Sequence, residues 1–301
     1  MAESRVRLQF DPQEWLLLGL GVLVCAWTLE RQCFALCAEF AVATALLAAG
    51  LLFTSRREAS TTGLAADRWS RLRILASLPY MLWFYSSALV RLVPALGLSL
   101  HDGTMLAIDR TLFGETPSVA ATALASPLLV EVLSACYVAL HPLMACLLVW
   151  ALTGDAARAR RICQPSYLCF VVGFYGYLLL PCVGPEHAFA ALYPAELPVG
   201  LISAFNTKLV NAGTAVYDVF PSLHTAIALT ILIHDARANR RRFYWLLLPC
   251  TGIIVSTIFL RYHYAIDVMA GSLMAAAMSA LPVEARRPAE TESRLPEAQA
   301  A

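Results

Sequence analysis

Residues 217–235 read YDVFPSLHTAIALTILIHD. From Leu223 the run is apolar apart from small hydroxyls, as a membrane-crossing helix is, yet His224 stands at its mouth. An ionisable group at the edge of a membrane is costly and is a functional candidate by default. The rest of the chain shows where this helix lives and what stands near the imidazole.

Composition places the helix in lipid. The 301 residues are 59% hydrophobic and 14% charged, with a mean hydropathy of +0.65, outside the soluble globular range. A net charge of +1 with no basic stripe argues against a nucleic-acid partner. The sequence has no zinc-type Cys/His spacing, phosphate-cradling glycine loop or internal repeat. The 9 cysteines fall mostly within apolar stretches and read as small buried hydrophobes. Cys33, Cys37 and Cys182 lie near segment ends, where spacing alone decides no pairing.

A span needs about 20 predominantly apolar residues. Eight candidates follow, at about 14–29, 34–54, 73–96, 127–152, 164–183, 219–234, 243–260 and 263–282. The expected fold is all-α and integral to the membrane, a six-helix core (third to eighth) with two N-terminal helices added. Residues 1–71 form the extension, 72–282 the core and 283–301 a disordered tail. Arginine sets the orientation. With the N-terminus inside, 17 of the 22 basic residues fall on cytoplasmic segments. Only Arg31, Arg91, Arg110, Lys208 and Arg261 lie on the other side. Both termini are therefore expected in the cytoplasm. The two long connections, about 97–126 and 184–218, are expected outside, as covers over a site.

That orientation gathers chemistry at the outer face. His224 opens the sixth span, and His263 begins the eighth within FLRYHYAIDVMAG. Asp267 follows by four residues, on the same side of a helix one turn further in. A carboxylate bonded to one imidazole nitrogen fixes the tautomer and makes the other a better nucleophile, which pairs Asp267 with His263. A second, protonated histidine donates to a departing oxygen, which makes His224 the general acid. The electrophile suited to this arrangement is phosphorus, attacked in line to give a phosphohistidine. Pro221, read as the first helical residue, leaves backbone N–H groups facing an anion. Ser222 and Thr225 add hydroxyl donors and Arg261 adds charge. Asp267 pairing with Arg261 is the bland alternative for that carboxylate.

FPSLHT and RYHYAIDVMAG resemble the second and third signature motifs of the type-2 phosphatidic acid phosphatase superfamily. They look closest to its branch of inositol phosphorylceramide and sphingomyelin synthases, whose third motif has the form His-Tyr-x-x-Asp. DRTLFGETP (109–117) and LLLPCVGPEHAF (178–189) look like further pieces of that branch, so the resemblance spans about 72–282. It implies a lipid phosphotransferase or lipid-phosphate phosphatase acting on the extracytoplasmic face. The substrate is then a membrane lipid phosphoester, with a lipid alcohol as possible acceptor. His263 is its nucleophile, Asp267 the orienting partner and His224 the proton donor, with no metal or other cofactor. The hydrolytic first motif, with Lys and Arg-Pro, is missing. Gly184 and Pro185 occupy its place, followed by Glu186 and His187 where relatives carry a basic residue. Position 257, where the hydrolytic third motif has arginine, is Thr257. His187 or Lys208 is the candidate to supply the missing charge.

His141, before Pro142 and one turn after Tyr137, reads as a polar residue at a proline kink. His234 falls on the cytoplasmic side. Glu131 is equally a helix contact and a site residue. A transport or proton-relay protein is the alternative function; it predicts ionisable groups through the membrane depth and paired halves. A structural scaffold would leave the triad without a reason.

Overall fold

The computed structural model describes residues 10–212 and 216–282. All regular structure among them is helical, beside one isolated bridge between Cys182 and Asp218. Arg5, Arg7, Arg286, Arg287, Arg294 and the tail from 283 lie outside the described residues.

Helix α1 (Pro12–Glu30) starts where Pro12 takes the first helical position and Glu14 accepts from the Asp11 N–H at 2.7 Å. It is followed by α2 (Phe34–Ala59). The third expected span is not one helix. It divides into α3 (Gly63–Ala76), α4 (Leu78–Trp83), a π-helical turn (Phe84–Ala88) and α5 (Leu89–Ala95). Pro79 and Pro94 each remove a backbone donor along this stretch, which interrupts regular propagation. The two long connections expected outside are not loops alone. The first carries α6 (Asp102–Phe113) and the short α7 (Pro117–Ala121).

Helix α8 (Pro127–Thr153) runs unbroken through Pro142, and α9 (Ala156–Leu179) begins where the Asp155 carboxylate caps the Arg158 N–H at 2.6 Å. The second long connection holds α10 (Pro185–Ala188) and α11 (Leu201–Ala212). The chain closes with α12 (Leu223–Ala238), α13 (Arg240–Phe259) and α14 (Ala265–Ala280).

Among the described residues five helices, α1, α2, α8, α9 and α13, are long and apolar enough to cross a membrane. That makes this an all-α, multi-pass membrane protein. The sixth and eighth expected spans are 16-residue helices. Among the described residues the eight expected spans correspond to five long helices, one segmented stretch and two 16-residue helices. α12 is central, packed by α9, α13 and α14. Small residues allow this. A Cβ on Gly271 of α14 would stand 2.4 Å from the Ser222 carbonyl oxygen, so no side chain fits where α14 meets the start of α12.

The N-terminal helices are fastened by buried charge. The Arg73 guanidinium, 1% exposed, pairs with Glu14 and, at 3.2 Å, with Glu58. Arg160 pairs with Asp11 at 2.6 Å and Glu58 at 3.0 Å, and its Nη2 donates to the Ser70 hydroxyl at 2.8 Å. Two arginines of the cytoplasmic count therefore tie α1, α2, α3 and α9 together.

Breaking such a network strands buried charge. Arg73→Ala should cost about 3–5 kcal/mol, read as a lower thermal midpoint in detergent, with Glu14 and Glu58 left facing each other. Gly271→Val should destabilise by about 1–3 kcal/mol through overpacking and lower activity further by parting α12 from α14. A variant as stable as the parent would mean that the two helices separate without strain.

Candidate active site

The local chain builds the site from two turns. Ser222 is the N-cap of α12: its hydroxyl oxygen accepts from the Thr225 N–H at 3.3 Å, and its O–H donates to Thr225 Oγ1 at 3.1 Å. Both residues are fully buried, so their hydroxyls serve the helix start. Pro221 is not the first helical residue as expected; it precedes the N-cap, because the cap role falls to Ser222. The Ser222 N–H is directed to the Asp267 carbonyl at 3.1 Å, which joins the α12 start to α14.

His263 lies in the turn between α13 and α14. Its N–H and that of Tyr262 both donate to the Thr257 carbonyl, at 3.0 and 3.1 Å. Arg261, at φ 67, supplies the left-handed residue that the turn requires. Asp267 is the third residue of α14 and folds back, with Oδ2 accepting the Tyr264 N–H at 2.8 Å. That cap brings Oδ2 to 3.5 Å from His263 Nδ1. The expected helical stacking of His263 and Asp267 is thus replaced by a cap, since His263 precedes the helix.

The His224 and His263 rings lie 6.2 Å apart. His224 Nε2, His263 Nδ1 and Asp267 Oδ1 are buried polar atoms without an aligned hydrogen-bond partner among the described residues. Such atoms call for an explanation in a folded protein, and a polar ligand or water is one. The structure brings His224, His263 and Asp267 together, with Ser222 and Thr225 beneath them.

The other expected contributors stand differently. Arg261 does not meet Asp267: its guanidinium donates to the Ala195 carbonyl at 2.7 Å and Thr122 Oγ1 at 3.3 Å, and lies 4.0 Å over the Tyr193 ring. The two long connections hold that charge. Gly184, at φ 88, packs so closely that a Cβ would stand 2.7 Å from the Tyr262 carbonyl oxygen. Pro185 opens α10, and the Glu186 N–H donates to the Arg261 carbonyl at 3.2 Å. Gly184 and Pro185 therefore brace the His263 turn. Burial pushes the Glu186 carboxyl above its usual range. His187 and Lys208 are both exposed, on α10 and α11. Glu131 caps α11, accepting from the Ile202 and Ser203 N–H groups at 2.8 Å.

Several residues around the site escaped the sequence reading. Tyr137 stacks on His224 with centroids 4.2 Å apart and planes at 19°. His141, set aside as a kink residue, lies 6.2 Å from the same ring. Asp102 accepts from Gly184 N–H at 2.9 Å and from the Tyr264 hydroxyl at 2.9 Å. Asp109 accepts from the Ala265 and Ile266 N–H groups, each at 3.0 Å. It thereby caps α14 with a carboxylate, which suits the positive end of the helix dipole. The available signal was two acids seven residues apart, on one face of a helix, in a stretch read as loop. Among the described residues no three His, Cys, Asp or Glu side chains converge as a metal site.

No curated protein and no solved structure matches the chain. Residues 103–281 match the family model described as the PAP2 superfamily. The match begins at 103 rather than 72 and runs from α6 to α14, so every element that supplies the two histidines and Asp267 lies inside it. With more than half of its length matched, this multi-pass membrane protein belongs to the PAP2 superfamily, whose members are of the phosphatase and phosphotransferase type.

Proposed function

We propose that the protein cleaves a membrane lipid phosphoester through a phosphohistidine on His263, in the manner of the inositol phosphorylceramide synthase branch. The observation that carries this is the convergence of two imidazoles 6.2 Å apart, one with a carboxylate at 3.5 Å. Because Nδ1 of His263 faces Asp267, Nε2 is the nucleophile. Its lone pair forms the N–P bond as the P–O bond to the leaving group breaks, and His224 gives its proton to that oxygen. An acceptor O–H then returns a proton to His224 while its oxygen displaces His263 from phosphorus. Water as acceptor gives hydrolysis and a lipid alcohol gives transfer; the form of the third motif favours transfer.

A lipid substrate fits the surroundings. A cavity of about 310 Å³ follows α12 from His224 to Asp235, about 16 Å of helix rise. Leu140, Met144, Phe170 and Ile227 are among its apolar walls. We place the site on the extracytoplasmic face, with both termini in the cytoplasm. Activity is assigned to the core, 72–282, with residues 1–71 as an extension whose helices α1 and α2 pack on the core.

Two measurements test the reading. His263→Ala should abolish turnover of every phosphoester. His224→Ala should lose about 10²–10⁴-fold on an alkyl leaving group, but far less on a nitrophenyl ester, whose oxygen departs without a proton. Equal loss on both esters would remove His224 from the acid role, full turnover in His263→Ala would remove His263 as the nucleophile, and no phosphoester turnover by the parent protein would favour a relay or transport protein. Purified protein given a labelled lipid phosphoester, with and without a lipid alcohol, decides the acceptor. A new labelled lipid means transfer, and release of labelled headgroup or phosphate alone means hydrolysis.

A further inference from the structure

Asp218 lies six residues before His224, in the segment that leads into α12. Its backbone bridges to Cys182, next to the chain that braces the His263 turn. Its Oδ2 accepts the Tyr85 hydroxyl at 2.5 Å. Tyr85 comes from the π-helical turn Phe84–Ala88, and such turns recur at functional sites because the extra residue re-aims a side chain. Asp218, Tyr85, His141 and His224 line the same cavity, and among the described residues no lysine or arginine does. Burial pushes the Asp218 carboxyl above its usual range, and the hydrogen bond from Tyr85 acts against this.

A carboxylate set there is unexplained by the chemistry of the two histidines. It is not their orienting partner, since that is Asp267, and its bond to Tyr85 leaves acceptor capacity unused. Next to a bound phosphorus it repels a second negative charge, so it disfavours a dianionic phosphate monoester relative to a singly charged diester. What it accepts well is a neutral O–H, by a charge-assisted hydrogen bond. Arg261, the cation nearest in sequence to His263, is turned to Ala195 and Tyr193 and does not offset this charge.

We infer that Asp218, positioned by Tyr85, is a specificity residue that hydrogen-bonds a hydroxyl of the reacting lipid beside the phosphorus and selects phosphodiesters over dianionic monoesters. This rests on the phosphotransfer reading of His263 and His224. The hydroxyl has two sources with the same chemistry: a polyol headgroup on the donor, or the acceptor lipid alcohol.

The test compares the parent protein with Asp218→Asn and Tyr85→Phe on three lipids in detergent micelles. These are a diester with a polyol headgroup, a diester with a simple ethyl headgroup, and a phosphate monoester, each with and without a lipid alcohol. In Asp218→Asn the ratio of kcat/KM for the polyol diester to that for the ethyl diester should fall about 10- to 100-fold. Monoester turnover should rise as the repulsion is relieved. Tyr85→Phe should shift the ratio in the same direction by less. If the ratio holds and only transfer from the ethyl diester to the alcohol falls, the hydroxyl belongs to the acceptor. An equal loss on all three lipids, or no change on any, overturns the proposal. Parent protein inactive on every lipid instead removes the phosphotransfer reading beneath it.

Discussion

Everything in the site depends on how closely α14 approaches the start of α12. Gly271 leaves that contact without a side chain, and the Ser222 N–H bonds across it to the Asp267 carbonyl. Ser222 in turn caps the helix that carries His224. One backbone contact therefore sets the distance between segments about 40 residues apart in sequence. A larger residue at 271 would have to push apart the two elements that carry His224 and Asp267.

A second layer holds the histidine turn in place, and it is acidic. Asp102 and Asp109 stand two turns apart on α6 and accept from five backbone or side-chain donors in the segments around His263. Asp109 spends its charge on the N-terminus of α14, where the dipole is positive. That end of the helix is thus occupied by protein and is not an anion seat. The buried carboxylates shape the site without supplying positive charge to a substrate. This fits a chain whose Arg261 is held by the two long connections.

Positive charge is concentrated elsewhere. Arg73 and Arg160 sit in a buried cluster with Glu14, Glu58 and Asp11, and Arg242 pairs with Asp235 through an Nε–Oδ2 contact of 2.5 Å. Membrane insertion favours arginine on the cytoplasmic side, and here packing uses part of that charge to lock helices. The arginine count that suggests an orientation is therefore also, in part, a record of tertiary ion pairs.

The sequence by itself determined the helical membrane class, since long apolar runs leave no other way to satisfy the backbone in lipid. It also marked His224, His263 and Asp267, because ionisable groups stand out against apolar surroundings. Only the tertiary structure decided how His263 meets Asp267, through a cap rather than a helix face, because that depends on where α14 begins. It alone brought Tyr85, Tyr137, His141, Asp102, Asp109 and Asp218 around the histidines. Their neighbours come from helices far away in the chain, and no local period encodes a contact made across a bundle.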